Sequence, residues 1–295
     1  MNITLTGASG FIGGPLIEKL KAKGHNLRML GRRDSGAENF LKWDSISDPF
    51  PAAAVEGTDA IIHLAGEPVA QRWNADVKKR IRDSRVNGTR ALVAAIGKAT
   101  VRPKMLIAAS AIGFYGDRGV DQLDEMSKPG TGFLPEVCVE WEQAAMEARK
   151  LGMRVVLLRI GIVLHESGGA LKTMLPFFRM GLGGPVGNGC QWMSWIYRDD
   201  LVAMLLWALE NDSVSGAING VAPEPVRNVD FGHALGEVLN RPAVLPAPEF
   251  ALRLLYGEMA SVVLASQKVY PRVPIAKAFV FQYPELKGAL RASVA

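Results

Sequence analysis

Short aliphatic runs at 2–6, 26–30, 60–65, 105–109 and 154–159 alternate with longer stretches, at 15–23, 76–100 and 135–151, whose apolar residues recur every three or four positions. The short runs read as buried strands and the long ones as amphipathic helices. Their alternation predicts right-handed βαβ units, hence an α/β fold with a doubly wound parallel sheet and a ligand site at the carboxyl ends of the strands. Past residue 165 the pattern changes. Glycine and proline crowd 181–189, and helices are expected at 199–209, with Asp200 as a cap, at 228–239 and at 249–264. An extended proline-bearing stretch at 242–248 separates the last two. Residues 1–165 thus form the expected Rossmann domain and 166–295 a smaller C-terminal cap, with about 195–220 able to return to the first sheet.

Composition narrows the class. The chain has 295 residues, 48% hydrophobic and 21% charged, which excludes a disordered chain and provides a large core. Cys138 and Cys190 cannot build a disulfide framework or a four-ligand zinc site, so no metal is expected and the setting is reducing and cytoplasmic. No apolar run approaches the ~18 residues of a membrane span, and no charged leader opens the sequence, so a soluble protein away from membranes is expected. The excess of 34 basic over 29 acidic residues is slight. No basic element carries stacking aromatics, so nucleic acid is not an expected partner, whereas an anionic small molecule is.

The strongest local signal is Thr6-Gly7-Ala8-Ser9-Gly10-Phe11-Ile12-Gly13, with Gly7, Gly10 and Gly13 at intervals of three between a predicted strand and a predicted helix. Glycines there permit a tight turn and close approach to a pyrophosphate, which the free N–H groups of the helix start would bind. The second strand is followed by Arg32 and Arg33, with no acid before Asp34. Guanidinium groups make bidentate bonds to phosphate, so the expected cofactor is NADP rather than NAD.

Together with these glycines, Asp59 to Gly66 (DAIIHLAG), Asn87-Gly88-Thr89 and Tyr115-Gly116 resemble the extended short-chain dehydrogenase/reductase superfamily, in its nucleotide-sugar epimerase and dehydratase group. Arg72-Trp73, Trp141-Glu142, Gly181 to Pro185, Gln191 to Ile196 (QWMSWI) and Asn219 to Pro223 resemble more closely its epimerase-family branch with a C-terminal domain of its own, sometimes labelled cell-division inhibitor. The resemblance spans essentially the whole chain. It implies that Leu64, Ala65 and Gly66 pass beside the nucleotide, that Arg85 sits at the site's edge, that Gly161 approaches the nicotinamide, and that Ser110 supplies a hydroxyl to the substrate. It also implies that Gln191, Trp192 and Trp195 shape the pocket.

One departure bears on chemistry. Active members of the superfamily carry Tyr-x-x-x-Lys on the helix after the substrate loop, where the ammonium lowers the phenol's pKa for proton transfer. Cys138 stands in the tyrosine's place and Glu142 in the lysine's. Two readings remain open. In one, Tyr115 is the proton donor and Glu142 a base; in the other, Cys138 is a small helix residue, Glu142 pairs with an arginine, and the protein binds nucleotide without turnover. The first is preferred: an NADP(H)-binding oxidoreductase or epimerase-like protein acting on a small polar substrate. A homodimer is compatible with it. The rival is a catalytically silent NADP(H)-binding regulatory or scaffold protein.

Overall fold

The computed structural model describes residues 1–32, 36 and 39–295. The first half runs β1 (Asn2–Thr6), α1 (Gly13–Ala22), β2 (Asn26–Gly31), β3 (Phe40–Lys42), β4 (Ala60–His63), α2 (Ala75–Lys98), β5 (Met105–Ala111), β6 (Gln122–Leu123), α3 (Phe133–Met146) and β7 (Arg154–Ile160). The second runs β8 (Ile162–Leu164), α4 (Gly169–Arg179), β9 (Trp192–Met193), β10 (Trp195–Tyr197), α5 (Arg198–Glu210), β11 (Gly216–Gly220), β12 (Val226–Arg227) and α6 (Asn228–Leu239). It ends with α7 (Glu249–Tyr256), α8 (Ala260–Leu264), β13 (Lys268–Val269), α9 (Arg272–Ala276) and α10 (Leu286–Val294).

Seven strands form one parallel sheet in the order β3-β2-β1-β4-β5-β7-β11, the doubly wound arrangement expected. The period-2 alternation of side chains gives it two apolar faces. Leu16 and Leu20 of α1 and Leu201 and Leu205 of α5 cover Ile3, Leu5, Ile62 and Leu158 on one face. On the other, Leu92 and Ile96 of α2 and Ala145 of α3 cover Leu30, Ile61, Leu106 and Leu157. A separate core under α4, α6 and α10, built from Leu175, Phe178, Phe231, Leu235, Leu290 and Trp195, holds the C-terminal region together.

Two local expectations change. Asp200 does not cap α5 but lies within it, buried, and its carboxylate accepts the backbone N–H groups of Gln282 (2.7 Å) and Tyr283 (2.9 Å). It therefore fastens the C-terminal segment to the sheet's helix. The apolar stretch 249–264 is not one helix either, because Gly257 at φ +61° breaks it into α7, a 3₁₀ turn and α8.

A buried polar chain crosses the sheet's centre. Thr6 and His63 are register partners on β1 and β4, and Thr6 Oγ1 lies 2.7 Å from His63 Nδ1. Thr6 Oγ1 also accepts the N–H groups of Leu64 (3.1 Å) and Ala65 (3.2 Å), so its own proton goes to His63 Nδ1. The imidazole then carries its hydrogen on Nε2, directed at Thr89 Oγ1 of α2, 3.1 Å away. Burial holds His63 neutral and pulls its pKa down to about 4 from 6.5. The unfolded chain takes up this proton as pH falls below 6.5 and the folded chain does so only near 4, so stability is full above 6.5 and declines across that window. The loss should reach about 3 kcal/mol. Urea unfolding of the wild type and His63→Gln between neutral pH and pH 4 checks this: the difference between their stabilities should shrink with acid, and parallel curves would refute it.

Candidate cofactor and active site

The turn between β1 and α1 is shaped by contacts that exclude side chains. Gly7 has φ +72°, and a Cβ there would lie 2.9 Å from the Leu64 carbonyl group; one on Gly13 would lie 2.3 Å from Gly7 O. Gly10 N closes the turn on Gly7 O at 3.0 Å. The start of α1 has no side-chain cap and no acidic residue in its first turn, which leaves its N–H end available to an anion. Phe11 packs on the backbone of Gly168, where a Cβ would meet its ring at 2.4 Å. Ser9 Oγ lies 3.5 Å from the Cβ position of Gly31, at the end of β2. These residues therefore fit a dinucleotide diphosphate in shape and polarity.

Arg32 follows β2 and is exposed, its guanidinium 3.0 Å from Glu67 Oε2. Arg33 lies outside the described residues. Leu64 and Ala65 leave β4 through the bend that the Thr6 hydroxyl holds, directly against Gly7. Arg85 is the neighbour of Gly66, its guanidinium 3.3 Å from that residue's Cβ position. It donates to the carbonyls of Glu67 (2.9 Å) and Ile81 (3.2 Å) and stands 5.2 Å over the Trp141 ring, so it fixes the loop after β4. The rest of the basic stripe on α2 has carboxylate partners, Lys78 with Glu258, Lys79 with Asp83 and Arg82 with Glu140. Gly161 is wedged at the end of β7, its Cβ position 2.6 Å from Ser194 O and from Val221 Cγ1.

The second cluster lies on the α3 face of the same strand ends. Register places Ser110 of β5, Arg159 of β7 and Asn219 of β11 in one row across three neighbouring strands. All three are buried, as is Glu142, which α3 lowers onto them. Ser110 Oγ donates to Glu142 Oε1 at 2.7 Å. Arg159 clamps the same carboxylate through Nε to Oε1 (2.7 Å) and Nη2 to Oε2 (2.8 Å), while Nη1 donates to Tyr115 Oη (3.1 Å) and the Glu125 carbonyl (3.3 Å). The guanidinium stacks on the Phe114 ring at 3.5 Å. A cavity of ≈ 380 Å³ bounded by Phe114, Val139, Gln143, Arg149 and Leu157 opens beside the ion pair.

Ser110, Cys138 and Glu142 thus share one neighbourhood, and Tyr115 stands apart from a proton donor's position. It is fully buried, and Asn219 Oδ1 at 2.7 Å or the Asp124 carbonyl at 2.9 Å takes its single proton. Burial pushes its pKa up to about 12. The Cys138 thiol is likewise pushed up to about 12, by burial first and then by the charge of Glu142. Neither group supplies an acid near neutrality. Of the pocket residues, Trp195 is buried in the C-terminal core and Gln191 Nε2 donates to the Val186 carbonyl (3.0 Å), while Trp192 stays half-buried at the surface.

Residues 3–219 match the NAD dependent epimerase/dehydratase family. The chain belongs to that family. Residues 247–293 match a domain of unknown function, DUF1731. An Arabidopsis thaliana relative, the chloroplastic epimerase family protein SDR39U1 homolog, is 44% identical over 304 residues, covering 99% of this chain and 86% of the relative. Epimerase family protein YfhF of Bacillus subtilis is 36% identical over 300 residues, covering 100% of this chain and 98% of its own. The crystal structure of human epimerase family protein SDR39U1 (isoform 2) with NADPH superposes with a TM-score of 0.89 at 33% identity, covering 99% of both chains.

Within this epimerase-family chain, the residues of the cluster to which the sequence assigned no role are Arg159, Asn219, quoted there only within a family motif, and Glu125. Arg159 had a signal: it is a cation in the apolar run RVVLLRI. The Glu142 and Arg159 side chains are 9% and 6% exposed, so removing either partner strands a buried charge, at about 3–5 kcal/mol. Arg159→Met should lose that much stability in urea unfolding, and Arg159→Met combined with Glu142→Leu should recover part of it. A loss under about 1 kcal/mol in the single variant would place the pair among weak, solvated ones.

Proposed function

We propose that the protein is an NADP(H)-dependent oxidoreductase or epimerase-like enzyme for a small polar substrate, with Ser110 and Glu142 handling the proton in place of a Tyr-Lys pair. The contact that carries this reading is the 2.7 Å hydrogen bond from Ser110 Oγ to a carboxylate that Arg159 holds fixed. With its proton committed to Glu142, Ser110 Oγ offers lone pairs to a substrate hydroxyl. As it accepts that proton, its own passes to Glu142 Oε1, and the adjoining cavity gives the carboxylate a route to water. Return of the proton by the same path serves the reverse direction. When bound, NADP(H) would supply or accept the hydride.

The turn Gly7 to Gly13 and the start of α1 would hold the diphosphate, with Ser9 and Arg32 at the 2′-phosphate. The exposed Arg32–Glu67 pair yields readily to such an anion, because surface ion pairs contribute only about 0–1 kcal/mol. The NADPH in the human relative's structure supports the same choice. Among the described residues, no helix is long and apolar enough to cross a membrane. The two free cysteines fit the reducing cytoplasm proposed as its location, and a homodimer is compatible with the reading.

Titration calorimetry should show NADPH binding at least 10-fold tighter than NADH, and Arg32→Ala should lower NADPH affinity by about 10-fold with NADH little changed. Nucleotide sugars, keto acids and quinones, offered with NADPH, should include a compound that accelerates loss of the nicotinamide absorbance, and Ser110→Ala and Glu142→Gln should each abolish that turnover. If NADPH binds and no compound is turned over, the second reading stands, a nucleotide-bound regulatory protein. One observation favours that reading: burial pushes both Cys138 and Tyr115 to about 12, far from working pH.

A further inference from the structure

The cavity beside the Glu142–Arg159 pair has a second end. Its ≈ 380 Å³ lie between the end of α3, β7 and the edge strand β11, with Phe114, Val139, Met146, Leu157 and Ala217 as apolar walls. The chain continues from α3 as a 3₁₀ turn, Glu147–Leu151, so Glu142, Met146 and Arg149, at i, i+4 and i+7, follow one face of the helix along this space. Buried Glu142 closes its inner end and exposed Arg149 its mouth, about 10 Å apart along the axis.

Both ends have bonding capacity left. A carboxylate offers about four lone pairs. Ser110 Oγ and Arg159 Nε occupy Oε1 of Glu142, whereas Oε2, among the described residues, accepts only Arg159 Nη2 at 2.8 Å. At the mouth, Arg149 Nη2 leans over the sheet edge, 3.8 Å from the Cβ position of Gly216. Its neighbour Glu147 is held by Lys150 at 2.7 Å, and among the described residues Arg149 has no carboxylate within salt-bridge distance. The space therefore suits a hydrogen-bond donor at the inner end, an anion at the outer one and an apolar body between them. Neither the glycine turn nor Gly161 contributes to its walls.

We propose that this cavity is a second ligand site, separate from the cofactor's, for a small aromatic carboxylate with a hydroxyl at its far end. The hydroxyl donates to Glu142 Oε2, the ring lies against Phe114, Met146 and Leu157, and the carboxylate pairs with Arg149. The volume holds one such molecule, at the lower end of the ~300–1,000 Å³ of ligand pockets. The site stands whether or not the protein turns a substrate over. Where Ser110 and Glu142 do pass a proton, its occupant closes the carboxylate's route to water and slows turnover, a consequence that rests on the oxidoreductase reading.

Calorimetry on the full chain, with and without saturating NADPH, compares para-hydroxyphenylacetate with phenylacetate, which lacks the donor, and para-hydroxyphenylacetamide, which lacks the charge. Para-hydroxyphenylacetate binds with a Kd below about 1 mM, about 10-fold tighter than either and equally well when NADPH is bound. Its affinity falls as salt rises. Arg149→Gln weakens it by about 10-fold and Arg149→Lys restores most of the loss. Ala217→Phe and Gln143→Trp, which fill the cavity from the sheet and from α3, each abolish binding while NADPH affinity stays that of the wild type. If the three compounds bind alike or not at all, if NADPH displaces them, or if the filled variants bind like the wild type, this inference is overturned and the cofactor reading is untouched. Sedimentation of the free protein tests the other occupant: a dimer that Gln143→Trp dissociates would give the groove to a second copy and overturn the small-ligand site.

Discussion

A guanidinium buried at the end of a parallel sheet has no water to satisfy its donors, so the protein around it must be arranged to do so. Arg159 sets that demand here. Two of its nitrogens fix Glu142 on α3, the third holds Tyr115 and the Glu125 carbonyl on the loops after β5, and its flat face lies on Phe114. Tyr115 in turn reaches Asn219 on β11, whose amide donates to the Tyr270 carbonyl at 3.0 Å and whose N–H donates to Glu125 at 3.0 Å. Three strands, one helix and the C-terminal region are therefore located by the needs of one cation. The same contact holds the carboxylate against Ser110, so the site's geometry and the stability of its surroundings are one interaction.

This explains why Cys138 and Glu142 are not a Tyr-Lys pair with two letters changed. Glu142 is the counter-ion that makes Arg159 tolerable, and a lysine there would put two cations side by side in a buried space. Cys138 faces Gly113, whose Cβ position lies 3.9 Å from its sulfur, and Leu134 closes the same space at 3.6 Å. A tyrosine would have to displace both. Cys138, Glu142 and Arg159 form a coherent set, and they leave Ser110 hydrogen-bonded to Glu142.

Much of this architecture was legible because its elements are long and strongly periodic. The doubly wound parallel sheet, the glycine turn and the helices α1, α2 and α5 follow from period and from glycine at positions where backbone approaches backbone, as at Gly7 and Gly13. The two- and three-residue strands β6, β8, β9, β12 and β13 are too short to show a period, so the pairings that bring Arg227 and Lys268 to Trp192 were invisible. Asp200 was misread because an acid near a helix start has a ready local explanation, whereas its partners, Gln282 and Tyr283, lie about eighty residues away. Arg159 was overlooked for a related reason. Its partner is legible only once register sets Ser110 and Arg159 side by side.

The C-terminal region is more than a cover on the sheet. Its Gln267 side chain acts on the backbone of the loop after Ser110, while Ser194 accepts Val269 N (2.8 Å) within the region and Asn219 of β11 holds the Tyr270 carbonyl from the sheet. Backbone acceptors do not depend on the side chain presented, so the loops stay placed while the outward residues between these anchors, Lys268 and Arg227 among them, are free to vary. A change of charge at Glu142 or Arg159 strands a buried ion, whereas at Lys268 or Arg227, on short strands at the surface, it strands none.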